Sequence, residues 1–218
     1  MRRIGMAVLG LTVLTATLAA QRSALREVRR GDGASLGIDL VIAEPLGAFR
    51  RNGNVAAGLA FNGVTGGRTL GVRIDGSWMA YDASYLGYGV STTSQIGTLM
   101  IGPQVTLGQG NMRLYGFLTG GGSLFWSNAT YQDGCGCSSS DFLDGDLTFS
   151  RSAGAGVLLA LSRKIAIDVG VRENRHDQVT YVPAGGLTDN GDGTYTVNRV
   201  TSSVLMRVWQ VGVSIGLR

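Results

Sequence analysis

Alternation of apolar and polar residues with a period of two is the feature that most constrains this chain. In residues 165–172, four branched apolar side chains share one face of an extended segment, whereas Asp168, Gly170 and Arg172 share the other face. Side chains alternate between the two faces of a β-strand, so this pattern predicts a strand and not an amphipathic helix. Seven further segments after residue 33 show a strand pattern, six of them with clear alternation, and the chain is therefore predicted to be all-β.

The predicted connections between these strands alternate in length after the first one. The first connection, residues 44–53, is of moderate length. The short ones are residues 62–68, 108–111 and 162–164, and the long ones are residues 82–94, 127–146 and 175–201. Transmembrane barrels have short turns at one end and longer loops at the other. A closed barrel also satisfies every backbone hydrogen bond inside a bilayer. We therefore predict an eight-stranded antiparallel up-and-down transmembrane β-barrel over residues 33–218.

The N-terminus has the pattern of a secretory signal peptide. Arg2 and Arg3 precede an apolar run of residues 4–16, and small residues follow up to Ala20. We predict a cleaved signal peptide at residues 1–20 and a short basic leader at residues 21–32. The alternative is an uncleaved anchor, for which the apolar run is short.

Two stretches carry a resemblance to a known family. The sequence SRSAGAGVLLALSRKIAIDVGVREN resembles the penultimate hairpin of small bacterial outer-membrane β-barrel proteins, and LYGFLTGGGSLFW resembles their preceding strand. The resemblance, to the barrels of outer membrane proteins A, X and W, extends over residues 33–218. It implies a bacterial outer-membrane location, with outer-membrane lipid, glycolipid and the assembly machinery as partners. These proteins usually end on an aromatic residue, whereas this chain ends SIGLR.

Charged residues on the face opposite the apolar stripes are predicted to point into the barrel. They are Asp39, Arg73, Asp75, Asp168 and Arg172. Buried charges must pair, so we expect an interior polar network that fills the barrel. A narrow ion path is the alternative, since eight strands leave too little lumen for a wide channel.

Aromatic residues near the predicted strand ends suggest girdles at the membrane interface. The residues are Phe61, Trp78, Tyr115, Phe125, Trp126, Phe149 and Trp209. Arg207 lies two residues before Trp209 and therefore on the same, apolar face of the predicted strand. We expect its side chain to extend toward lipid headgroups. The predicted interfacial rim is Trp78, Trp126, Arg207 and Trp209.

No catalytic, cofactor or metal site is predicted. His176 is the one histidine of the chain, and we interpret it as a solvated residue at the start of a loop. Cys135 and Cys137 are interpreted as loop residues. Residues 188–198 lack the carboxylate spacing of a calcium loop and are predicted to form a hairpin tip that extends the barrel. The formal net charge of +4 includes Arg2 and Arg3 of the signal peptide and does not indicate nucleic-acid binding.

The predicted function is a structural, surface-binding or narrow-pore role in the outer membrane, with an extracellular ligand at the long loops. The alternatives are a secreted soluble β-barrel that binds an apolar small molecule and, with less support, an outer-membrane barrel enzyme. The outer-membrane barrel and the soluble barrel differ in which face of the wall is apolar, and alternation alone does not show which face is outside.

Overall fold

The computed structural model describes residues 33–87, 90–108, 111–132, 138–183, 185–190 and 194–217. The predicted signal peptide at 1–20, the leader at 21–32, and Cys135 and Cys137 lie outside the described residues.

Ten strands are present in the described part of the chain. They are β1 (Ala34–Leu46), β2 (Ala56–Gly66), β3 (Leu70–Gly87), β4 (Val90–Leu107), β5 (Met112–Gln132), β6 (Ser138–Ala160), β7 (Ile165–Tyr181), β8 (Leu187–Asp189), β9 (Tyr195–Val197) and β10 (Val200–Leu217). Eight of them close into one barrel in the order β1-β10-β7-β6-β5-β4-β3-β2, with antiparallel neighbours throughout. The predicted eight-stranded up-and-down barrel is confirmed.

The stagger of the barrel follows from its strand register. Starting at Ile38 and following paired residues through β2, β3 and β4 leads to Gly122 on β5. The opposite path, through β10, β7 and β6, leads to Met112. The two end points are ten residues apart on β5, which is the shear of the barrel, and such stagger requires tilted strands. An eight-stranded barrel has an interior just wide enough for side chains to fill.

The two faces of the barrel wall differ sharply. Large apolar side chains point outward and stay exposed, with Leu40 at 65% and Leu99 at 66% of full exposure. The inward positions between them are buried and include the charged residues Asp39, Arg73 and Asp168. The apolar stripes of the sequence therefore lie on the outside of the barrel, which the alternation alone could not decide.

Two of the three predicted long loops are largely strand. β3 pairs with β4 as far as Gly87 and Val90, and β5 pairs with β6 as far as Gln132 and Ser138. The prediction of loops at residues 82–94 and 127–146 is wrong in this respect. Beyond the apolar zone a strand needs no apolar face, so the alternation disappears although the backbone pairing continues.

The connection after β7 has its own small sheet. β8 pairs with β9 as a two-stranded ribbon that is separate from the barrel sheet. The predicted hairpin at residues 188–198 is present, although the ribbon does not extend the barrel itself. Gly191, Asp192 and Gly193 lie outside the described residues.

An apolar cluster fills the barrel at the end opposite the short turns. A 3-10 turn after β1, Gly47–Arg51, buries Phe49 completely. The Phe49 ring packs edge-on against Tyr81 and Tyr181, with ring centroids 5.5 and 5.2 Å apart. The remaining members of this cluster, which we call the apolar plug, are Val41, Ala43, Ala56, Ala60, Met79, Ile96, Phe125, Val179, Val204, Met206 and Val208.

Two aromatic residues expected at the membrane interface lie inside the barrel instead. Tyr115 and Phe125 are 4% and 1% exposed, so their placement in an outer girdle was wrong. Both belong to β5, whose glycine-rich sequence gave no clear phase for the alternation. No helical segment in the described ranges has the length and hydropathy that a membrane-spanning helix requires.

Candidate functional site

Three of the five predicted interior charges form one ion cluster. Arg73 Nε donates to both Asp75 carboxylate oxygens, at 2.9 and 2.8 Å, and Arg73 Nη2 lies 2.8 Å from Asp75 Oδ1. Arg172 Nη1 approaches the same oxygen at 3.6 Å. All three side chains are almost fully buried. One carboxylate therefore serves two guanidinium groups.

Arg73 is held further by neutral groups. Its Nη1 donates to Gln104 Oε1 at 3.1 Å, and its guanidinium carbon lies 4.4 Å from the centre of the Phe117 ring. A cation against an aromatic face is stabilised by the negative potential of the ring. Arg73 is thus fixed on several sides and does not project into a free channel.

The other two predicted interior charges have neutral partners. Asp39 Oδ2 accepts a hydrogen bond from Asn62 Nδ2 at 2.8 Å. Asp168 Oδ1 accepts one from the Tyr115 hydroxyl at 2.6 Å, and Gln210 Nε2 donates to that hydroxyl at 3.1 Å. Within the described chain, neither carboxylate has an arginine, lysine or histidine nitrogen within 4.0 Å.

Glycines on β7 and β10 provide the space for this second group. Gly212 pairs with Asp39 on one side and with Asp168 on the other. A Cβ atom on Gly212 would collide with Asp39 Oδ1 and with the Ile38 carbonyl oxygen. A Cβ atom on Gly170 would lie 2.6 Å from the Tyr115 hydroxyl oxygen. The inward glycines therefore determine where the Asp39 and Tyr115 side chains can go.

His176 is a buried strand residue, which corrects the interpretation drawn from the sequence. It lies in β7 with 2% exposure, whereas the sequence suggested a solvated loop residue. Its Nδ1 is 2.7 Å from Ser150 Oγ and 3.1 Å from Ser123 Oγ, and its ring packs edge-on against Phe125. Continuing the inward phase of Asp168 and Arg172 along the strand would have placed His176 inside.

The His176 and Ser150 pair does not form a catalytic site. A nucleophile needs an accessible hydroxyl and a base that a third group orients. Ser150 has no exposure to solvent, and His176 Nδ1 is shared between two serines. No carboxylate of the described chain bonds to the imidazole, and no group of three potential metal ligands occurs there.

The predicted rim residues lie on the outside of the barrel. Trp78 and Trp209 are about half exposed, and Trp78 Nε1 donates to Gln95 Oε1 at 2.7 Å. Trp126 is partly buried because its ring covers Gly97 on the neighbouring strand. Arg207 is exposed and lies in register between Glu44 on β1 and Glu173 on β7. A charged row thus begins directly beyond Trp209 on this side of the barrel.

Comparison with known proteins gives likenesses of fold. No family model and no curated protein matches the chain. Solved structures similar to it are small outer-membrane β-barrel proteins. Neisserial surface protein A has 14% identity and a TM-score of 0.48, covering 84% of this chain and 96% of its own. The attachment invasion locus protein Ail of Yersinia pestis has 14% identity and a TM-score of 0.45, covering 85% and 97%. The N-terminal β-barrel domain of Pseudomonas aeruginosa OprF has 9% identity and a TM-score of 0.38, covering 84% and 97%.

Proposed function

We propose that this chain is an integral β-barrel protein of the bacterial outer membrane with a structural or surface-binding role. The observation that carries the proposal is the continuous apolar outer face of a closed barrel with five buried charged residues on its inner face. A soluble protein rarely exposes so large an apolar surface, whereas a bilayer requires it.

The height of the apolar zone suits a bilayer. On β10 this zone covers the nine residues from Trp209 to Leu217, and the five of them that point outward are all apolar. Nine tilted residues span about 20 Å along the barrel axis, and transmembrane strands contain about 9–11 residues. We call this zone the apolar belt. Arg207, between Glu44 and Glu173, follows it directly.

The soluble-barrel alternative requires the opposite arrangement of faces. A carrier of an apolar small molecule needs an apolar interior with free volume. Here the interior holds three carboxylates and two guanidinium groups near the short turns and the packed apolar plug at the other end. The geometry therefore speaks against a carrier function.

The filled interior also favours a structural or binding role over conduction. Rings of Phe49, Tyr81 and Tyr181 pack against one another across one end, and the Arg73 ion cluster fills the interior toward the short turns. The extensions of β3–β6 beyond the apolar belt provide the proposed surface for an extracellular ligand. Outer-membrane lipid, glycolipid and the assembly machinery remain the proposed partners, and no catalytic role is proposed.

Cell fractionation followed by electrophoresis with and without boiling tests the proposal. We expect the protein in the outer-membrane fraction and a shift in mobility on heating, because a folded barrel resists detergent at room temperature. A periplasmic protein without a heat-dependent shift would refute the membrane assignment. Conductance of the purified barrel in planar bilayers tests the pore alternative, and we expect no steady current.

A further inference from the structure

The buried charges of the barrel do not balance locally. Asp75 is surrounded by Arg73 and Arg172, so this ion cluster has a net charge of one positive unit. Asp39 and Asp168 have only neutral hydrogen-bond partners in the described chain. Three carboxylates and two guanidinium groups leave one negative charge in excess, and it lies with Asp39 and Asp168.

Asp39 and Asp168 flank the same residue of the barrel wall. Gly212 pairs with Asp39 on β1 and with Asp168 on β7, so both side chains flank a residue without a Cβ atom. Asp39 Oδ1 lies over Gly212 itself. Like charges on two strands that flank the same residue repel each other in a buried environment unless a positive charge is added.

Two oxygen atoms at this point lack partners. Asp39 Oδ1 and Gln210 Oε1 are both buried and accept no hydrogen bond from the described residues. Gln210 pairs with Val41, two residues beyond Asp39 on the same inward face, so the two side chains are diagonal neighbours. A buried acceptor without a donor is costly, and here two such acceptors lie beside an excess negative charge.

Other cationic groups do not reach the two carboxylates. Both arginines contact Asp75, and Arg73 also bonds to Gln104. Arg172 Nε and Nη2 are buried without a hydrogen-bond partner among the described residues, but no arginine nitrogen in that part of the chain lies within 4.0 Å of an Asp39 or Asp168 oxygen. His176 lies eight residues further along β7 than Asp168, and its hydrogen bonds within the described ranges go to two serines. None of these groups therefore supplies a positive charge to the unpartnered Oδ1 atom of Asp39.

We propose that Asp39, Asp168 and Gln210 form a binding site for one monovalent metal cation in the barrel interior. Carboxylate and amide oxygens are the ligands that hard cations prefer. A single positive charge matches the single negative charge in excess, whereas a divalent ion would leave the interior with a net positive charge. The site does not depend on the outer-membrane location, since it rests on the barrel interior alone.

The test uses Na⁺ as the probe and the full chain folded in detergent micelles. Thermal unfolding is followed while NaCl is replaced by choline chloride at constant ionic strength and pH. A ligand that binds only the folded state stabilises it with the logarithm of its concentration. We expect the unfolding midpoint to rise with Na⁺ but not with choline, and we expect ²³Na NMR relaxation to accelerate in the presence of the folded protein.

Asp39→Asn separates a cation site from a merely structural carboxylate. We expect this variant to lose the dependence on Na⁺ and, in choline, to unfold at or above the midpoint of the unaltered protein, because the excess charge has gone. Glu44→Gln removes the same charge from an exposed position on the same strand and should keep the dependence on Na⁺.

Three results would overturn the proposal. The first is an equal midpoint in Na⁺ and choline together with unchanged ²³Na relaxation, which needs no variant to interpret. The second is a full Na⁺ dependence in Asp39→Asn. The third is an unfolding midpoint in choline chloride that changes with pH while Na⁺ has no effect on it, because a proton would then supply the missing positive charge.

Discussion

An arginine placed at the middle of the apolar belt is expected to destabilise the protein strongly, although the position is on the surface. The belt on β10 runs from Trp209 to Leu217, so Val213 is at its centre. Val213 points outward and is 39% exposed. In a soluble protein, Val213→Arg would be an ordinary surface substitution with an effect within about 0.5 kcal/mol.

In a bilayer the same substitution carries a depth-dependent cost. Arginine on the lipid face of a transmembrane barrel costs about 2–4 kcal/mol at the midplane and about 0–1 kcal/mol near the interfaces. Ser203 has the same outward phase ten residues earlier on β10. Ten tilted residues correspond to roughly 25 Å along the barrel axis, which places Ser203 well beyond the belt. We therefore expect Val213→Arg to lower the free energy of unfolding by about 2–4 kcal/mol and Ser203→Arg by less than about 1 kcal/mol.

The measurement is urea unfolding of both variants in phospholipid vesicles, followed by tryptophan fluorescence and by mobility without boiling. The two substitutions are chemically similar and lie on one strand, so their difference isolates depth. Equal, small effects at both positions would refute the proposed position of the belt and with it the membrane assignment. Equal, large effects would show that the apolar zone extends beyond Ser203.

Three further predictions concern the interior. Asp75→Asn removes the one anion shared by two buried guanidinium groups, and we expect a loss of about 3–5 kcal/mol in the free energy of unfolding; a loss below 1 kcal/mol would contradict the ion cluster. Phe49→Ala removes the centre of the apolar plug and should cost about 3–5 kcal/mol by the same measurement, whereas Phe142→Ala, at a position with 68% exposure, serves as the control with little effect. Gly212→Ala places a Cβ atom against Asp39 and the Ile38 carbonyl group, so we expect little folded protein, seen as loss of the heat-dependent shift in electrophoretic mobility. Gly76→Ala is the control and should fold normally, because the added Cβ atom would have no neighbouring atom closer than 3.9 Å.

The strand pattern was readable from the sequence because a barrel wall between lipid and a polar interior imposes strict alternation. Residues 165–172 illustrate this, since every second residue must be apolar and those between must be small or polar. The same rule fails beyond the belt. Residues 127–132 pair with β6 although they show no apolar stripe, so sequence reasoning ended the strand too early.

The interior near the loop end could not be predicted in the same way. Phe125 and Tyr81 are apolar or aromatic residues on the inward phase, where the alternation leads one to expect polar residues. They fit there because Phe49 returns from the turn after β1 and closes the barrel from within. Such packing joins residues that are far apart in the chain, and a local period carries no information about it.

The amino-acid sequence by itself determined the number of barrel strands, their antiparallel order and the two faces of the wall, because these depend on the local period and on connection length. The tertiary structure alone decided which face is outside, and that His176 lies in the interior. It also decided how the five charges divide into a cluster around Asp75 and a separate pair, Asp39 and Asp168. That division depends on the strand order, which places β1 and β7 on either side of β10, and on the register, which brings Asp39 and Asp168 level with Gly212. Both are properties of the closed sheet as a whole.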